Sequence, residues 1–106
     1  MVTKTLPWNS AELLRDKDDI AAYLEAALEE AFETNDVSAF TRALEVVAKS
    51  HGMKKIADEA GLGRESLYKS LAVSGNPGFA TVFAVLRTLG IRMGASPMRA
   101  TETEHV

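Results

Sequence analysis

Twenty residues, MKKIADEAGLGRESLYKSLA at positions 53–72, restrict the fold of this chain more than any other stretch. Two short segments with helical apolar spacing flank Gly61: Ile56, Ala57 and Ala60 lie before it, Leu67 and Leu71 after it, with Leu62 in the turn. A connection this tight needs a positive φ, which glycine adopts without the penalty a Cβ brings. Two helices joined so closely cross steeply and come nearest at Ala57, where a larger side chain would wedge them apart. Ile56, Ala60, Leu62, Leu67 and Leu71 are then expected to turn inward and fix the angle. The spacing predicts helices over 53–60 and 64–72 held as one bihelical unit, with Gly63 as N-cap of the second.

The rest of the chain supplies helices for this unit to pack on. Ile20, Tyr23/Leu24, Ala27/Leu28 and Ala31/Phe32 recur at three- and four-residue steps and predict a helix over 18–34, begun by Asp18 and Asp19 and carrying Glu25, Glu29, Glu30 and Glu33 on its opposite side. Asn35 and Asp36 interrupt that pattern with capping oxygens. Phe40, Ala43/Leu44 and Val47 resume it over 37–51, ended by Gly52 in the left-handed conformation. Ser74 to Gly78 breaks the chain again, and Phe79, Val82/Phe83, Leu86 and Leu89 form one apolar face of a fifth helix stopped by Gly90. Ile91-Arg92-Met93 then alternates in the manner of a short strand. The expected fold is all-α with five helices: an arm over 1–17 anchored by Trp8, a domain over 18–95, and a disordered tail over 96–106.

Composition removes several classes of function. There is no cysteine, and the only histidines, His51 and His105, are far apart, so no metal site and no cofactor is expected. No nucleophile–base pair or glycine-rich phosphate loop occurs, which argues against an enzyme. The longest aliphatic and aromatic run is Val82 to Leu86, far short of a bilayer span, and no signal-peptide stretch is present, so the expected location is the cytoplasm. The net charge of -3 hides an asymmetry. Lys4, Arg15, Lys17, Arg42 and Lys49 are outnumbered by acids in the first fifty residues, whereas Lys54, Lys55, Arg64, Lys69, Arg87 and Arg92 outnumber Asp58, Glu59 and Glu65 over 53–93. A basic second half suits phosphate, and an acidic stripe on the first helix is either a solvated face or a docking surface for a basic partner.

Within 53–72, Ala at the fifth place, Gly at the ninth, and aliphatics at the fourth, tenth, fifteenth and nineteenth resemble the Cro/lambda-repressor helix-turn-helix. A wider set also resembles the addiction-module antidote family, HigA-like antitoxins encoded beside a small RelE/ParE-like toxin. It comprises Trp8, Asp19-Ile20-Ala21-Ala22-Tyr23-Leu24-Glu25-Ala26-Ala27, Gly52-Met53, Gly61-Leu62-Gly63-Arg64-Glu65-Ser66-Leu67-Tyr68 and Gly75-Asn76-Pro77-Gly78-Phe79-Ala80-Thr81. One departure is Gly63, where the family pattern has Ser; the lost capping bond costs only a few tenths of a kcal/mol.

The resemblance implies a repressor of its own operon that binds a double-stranded DNA operator and neutralises a RelE/ParE-like toxin. The helix over 64–72 would then enter the major groove, with Arg64, Glu65, Tyr68 and Lys69 facing bases, and Lys54, Lys55, Gly63 and Ser66 contacting phosphate. Arg64 suits a guanine and Glu65 a cytosine amino group, with a helix-dipole role as the alternative for Glu65; Tyr68 and Lys69 are better placed for phosphates, with a half-buried core ring as the alternative for Tyr68. A single head buries too little surface for tight binding, so a homodimer is expected, through Ile91 to Met93 as an intermolecular strand or through the fifth helix. Two rival readings are a protein-interaction module on the same scaffold without DNA binding, and a phage-type repressor without a toxin.

Overall fold

The computed structural model describes residues 16–72 and 76–98. Five helices follow one another: α1 (Lys17–Thr34), α2 (Ser38–His51), α3 (Met53–Ala60), α4 (Arg64–Leu71) and α5 (Phe79–Leu89). The expectations for Trp8, for most of the arm and for residues 99–106 of the tail lie outside the described residues, as does part of the break before α5.

An aspartate stands at the start of each of the two longest helices, as the N-cap of α1 and one residue before the N-cap of α2. Asp16 is the N-cap of α1, its Oδ1 accepting the Asp19 N–H at 2.9 Å, and Asp18 and Asp19 place two further acids at the positive end of the dipole. Asn35 ends α1 in the left-handed conformation with φ 55°. Asp36 then opens α2 by accepting the Ser38 N–H at 2.9 Å. The bonds from the Ser38 backbone and side chain, with Arg42 nearby, hold the Asp36 carboxyl below the usual carboxylate range.

Helix α2 is the spine of the fold, because α1, α3, α4 and α5 all pack on it. Leu44, Val47 and Ala48 from α2 are fully enclosed with Ile56 of α3, Leu71 of α4 and Val85 of α5. The passage from α2 to α3 takes a single residue. Gly52 donates to the Ala48 carbonyl at 2.9 Å while its own carbonyl accepts from Ile56 at 3.0 Å, so it closes one helix and opens the next. Its φ of 113° is positive as expected, but its ψ of 105° lies outside the left-handed helical region: the chain must swing through a corner here, not merely stop.

The turn between α3 and α4 matches its expected form. Gly61 is left-handed at φ 73°, the Leu62 N–H reaches the Ala57 carbonyl at 2.9 Å, and the Gly61 N–H reaches Asp58 at 3.4 Å. These paired bonds are a Schellman closure, which brings Leu62 back over Ala57. Ala57 is 1% exposed, and Ile56, Leu67 and Leu71 are buried, while Ala60 and Leu62 are only partly covered at the edge of the core.

Three expectations need correction. No strand forms at 91–93 among the described residues, because the Ile91 N–H is already used in capping α5, donating to the Leu86 carbonyl at 2.9 Å. The apolar face of α5 divides: Val85, Leu86 and Leu89 are buried, but Phe79 and Phe83 are 80% and 53% exposed. Phe32 also lies outside the core at 63% exposure, since α1 packs chiefly on α2 and one neighbour covers a stripe narrower than the apolar face. At the far end of the body, the Lys17 stem lies against Gly90, where a Cβ would come within 2.8 Å of it. That places an ammonium beside the carbonyl end of α5.

Urea titrations at neutral pH, repeated in acid for Asp36→Ala, check this account. Ala57→Leu is expected to lower unfolding free energy by about 1–3 kcal/mol through overpacking. Gly61→Ala should lower it by about 1–2 kcal/mol through its left-handed backbone, with Gly61→Asn milder; urea titrations read all three. Asp36→Ala should destabilise the chain at neutral pH, and the deficit should shrink in strong acid. The sign follows from the depressed carboxyl: its stabilising charge is complete above the ordinary carboxylate pKa and is lost as pH falls through the lower folded value.

Candidate nucleic-acid interface

Helix α4 is held to the body by two side chains of its eight, Leu67 and Leu71, four residues apart on its inner face. The remaining positions from Arg64 to Lys69 are exposed, so Arg64, Glu65, Ser66, Tyr68 and Lys69 share one open surface. This is the distribution the sequence predicts for a helix whose outer side is presented to something else. Arg64 and Tyr68, one turn apart, are brought together: the guanidinium carbon lies 5.9 Å from the ring centroid. A contact of this kind at an exposed site is worth about 0.5–1 kcal/mol and restricts where the guanidinium points. Tyr68 is 40% exposed, so it is neither a core ring nor a free one.

The N-terminus of α4 carries no side-chain cap. Gly63 is extended, its carbonyl accepts the Leu67 N–H at 2.9 Å, and among the described residues no side chain caps the first-turn amides of Arg64, Glu65 and Ser66. Uncapped amides at the positive end of a helix favour an anion. Ser66 stands beside Gly63, where a Cβ on the glycine would meet its Oγ at 3.5 Å, and its carbonyl accepts the Ser70 hydroxyl. Glu65 lies in the first turn, where its charge complements the dipole, and Lys69 lies in the last.

Lys54 and Lys55 project from the first turn of α3 around a shallow depression shared with Gly52, Asp58 and Glu59. They differ in one respect the sequence reading missed. Lys54 Nζ is paired with Asp58 at 3.0 Å, both side chains being well exposed, whereas Lys55 has no ion pair among the described residues. The four-residue spacing of Lys54 and Asp58, and of Arg64 and Tyr68, was the available signal for both contacts. The Lys54 pair is cheap to break, since exposed ion pairs contribute about 0–1 kcal/mol.

Two other surfaces are open. On α5 the Phe79 and Phe83 rings lie 6.3 Å apart, beside a groove continued by Arg87, Ile91, Arg92 and Met93. On α1, Glu25, Leu28, Glu29 and Phe32 line a second groove with the segment Met93 to Met98. Among the described residues, no cluster of three or more potential metal ligands occurs, and no helix is long and apolar enough to cross a membrane.

Comparison with known proteins bears on what such surfaces serve. The family described as "Probable addiction module antidote protein" matches residues 4–97 of this chain. An uncharacterized protein of Haemophilus influenzae (strain ATCC 51907 / DSM 11121 / KW20 / Rd) is 33% identical over 99 residues, covering 93% of this chain and 98% of the relative. No solved structure matches significantly. With the match running through α1, the α3–α4 unit, α5 and the segment beyond it, the chain belongs to the addiction-module antidote family, the antitoxin side of a toxin–antitoxin pair.

Proposed function

We propose that this antitoxin is also an operator-binding repressor, acting as a homodimer in which α3 and α4 form a helix-turn-helix and α4 reads the major groove. The observation that carries this reading is the outward set of Arg64, Glu65, Tyr68 and Lys69 on a short helix fixed by Leu67 and Leu71, with the uncapped amides at its start. Arg64 is the base-reading residue, steered by Tyr68. Glu65 discriminates beside it by accepting from a cytosine amino group. Lys55, Lys54, Gly63, Ser66 and Lys69 hold phosphates and set the register.

Two heads are needed to read a two-fold operator. The exposed Phe79 and Phe83 pair on α5, with Ile91 and Met93 alongside, supplies the apolar patch through which two copies would meet. The RelE/ParE-like character of the toxin rests on the family resemblance alone. Repression and toxin neutralisation then reside on different helices of one small body.

Gel retardation of the upstream region of the chain's own operon tests the DNA reading. Affinity should fall steeply with salt. Arg64→Ala should cost about 1–3 kcal/mol at the cognate operator and little on unrelated DNA. Lys55→Ala should weaken both alike and reduce the salt slope by about one. Salt-independent binding, or equal losses for Arg64→Ala on every sequence, would overturn base reading by α4. For the dimer, Phe79→Asp/Phe83→Asp should sediment as a monomer at concentrations where the unchanged chain is a dimer, and its operator affinity should drop with its helical content intact.

A further inference from the structure

The outer side of α1 is electrostatically costly for the isolated chain. Glu25, Glu29 and Glu33 follow one another at four-residue steps, a spacing at which like charges repel. Glu33 stands in the last turn, the negative end of the dipole, and no basic residue occupies that turn. Among the described residues the ion pairs are Lys49 with Glu45 and Lys54 with Asp58, so these glutamates are not neutralised there. The same side also holds apolar surface that a monomer gains nothing by exposing. Phe32 stands 63% exposed between two depressions, one shared with Leu28, Ala31 and Val37 and the other with Met93 and Met98.

We infer that this groove, between α1 and the segment Met93 to Met98, is where the antitoxin seats its toxin, and that the seated surface is a basic one. Phe32 is the central apolar anchor, Leu28 and Met98 wall it, and Glu25, Glu29 and Glu33 pair with Lys or Arg around an apolar prong of the partner. Charge complementarity selects this occupant over a second copy of the chain: two copies joined here would oppose glutamate to glutamate, while a basic surface relieves the repulsion. The α5 groove, by contrast, is edged by Arg87 and Arg92 and would repel the same partner. The inference rests on the antitoxin reading and adds to it the place and chemistry of capture. It also leaves the α4 surface unoccupied, so toxin and DNA can be held together.

The test uses the full chain and the product of the reading frame beside it in its operon, with binding measured by calorimetry and neutralisation by growth rescue. Phe32→Ala is expected to weaken toxin binding by about 30-fold or more. Glu29→Lys/Glu33→Lys should weaken it at least as much while raising the melting temperature by a few degrees, because it removes repulsion and complements the dipole. A variant that melts higher but no longer binds cannot be dismissed as misfolded. Operator retardation should be unchanged in both, and Phe79→Asp/Phe83→Asp should retain toxin binding. Unaltered toxin affinity in Phe32→Ala and Glu29→Lys/Glu33→Lys would overturn the inference and leave the antitoxin role intact. Loss of toxin binding in Arg64→Ala/Lys69→Ala instead would overturn it by moving the toxin to the DNA face. No binding by the unchanged chain would remove the antitoxin role itself and this site with it.

Discussion

A single backbone hydrogen bond, from the Leu62 N–H to the Ala57 carbonyl, fixes the part of the molecule on which its surfaces depend. It forms because Gly61 turns left-handed, and Ala57, with no side chain beyond Cβ, fits the enclosed space at the end of α3. The direction of α4 follows from that closure, and Leu67 and Leu71 lock it into the enclosed space against α2. The outward residues of α4 are thus positioned by buried atoms several ångströms away, and the interface inherits its precision from the core. Such an arrangement lets the exposed side chains vary without changing how the helix is held.

The three open surfaces differ in chemistry as well as position. Helix α4 offers cations and amides, α5 offers paired aromatic rings edged by arginine, and α1 offers carboxylates around one phenylalanine. The formal charge of the whole chain conceals this partition, since opposite patches cancel in the sum. Such separation suits the proposed pairing of operator binding with toxin capture, because a cationic face and a carboxylate face repel each other's ligands.

Helix positions were legible in the sequence wherever a period and a punctuating residue agreed. Gly52, Gly61 and Gly90 each stand at the boundary expected of them, and Ile56, Ala57, Leu67 and Leu71 are buried. Asp16 escaped notice as the first cap because the charges around it show no period. Phe32, Phe79 and Phe83 were misplaced for a different reason. Periodicity reports that apolar residues share one side of a helix, but not how many neighbours exist to cover that side, and in a small body α1 and α5 lie at the margin. Alternation at 91–93 misled because a strand needs unspent donors, and the donor of Ile91 is consumed in ending α5. The candidate interface was legible as a set of residues, whereas the stacking of Arg64 on Tyr68 and the diversion of Lys54 to Asp58 depend on side-chain placement.

The contact of the Lys17 stem with Gly90 brings the first residue of α1 to the end of α5. The first turn of α1 and the end of α5 therefore share one corner of the helical body. A short linker across that corner would close the body into a ring of helices, so a circularly permuted chain opened between α1 and α2 should keep the same core.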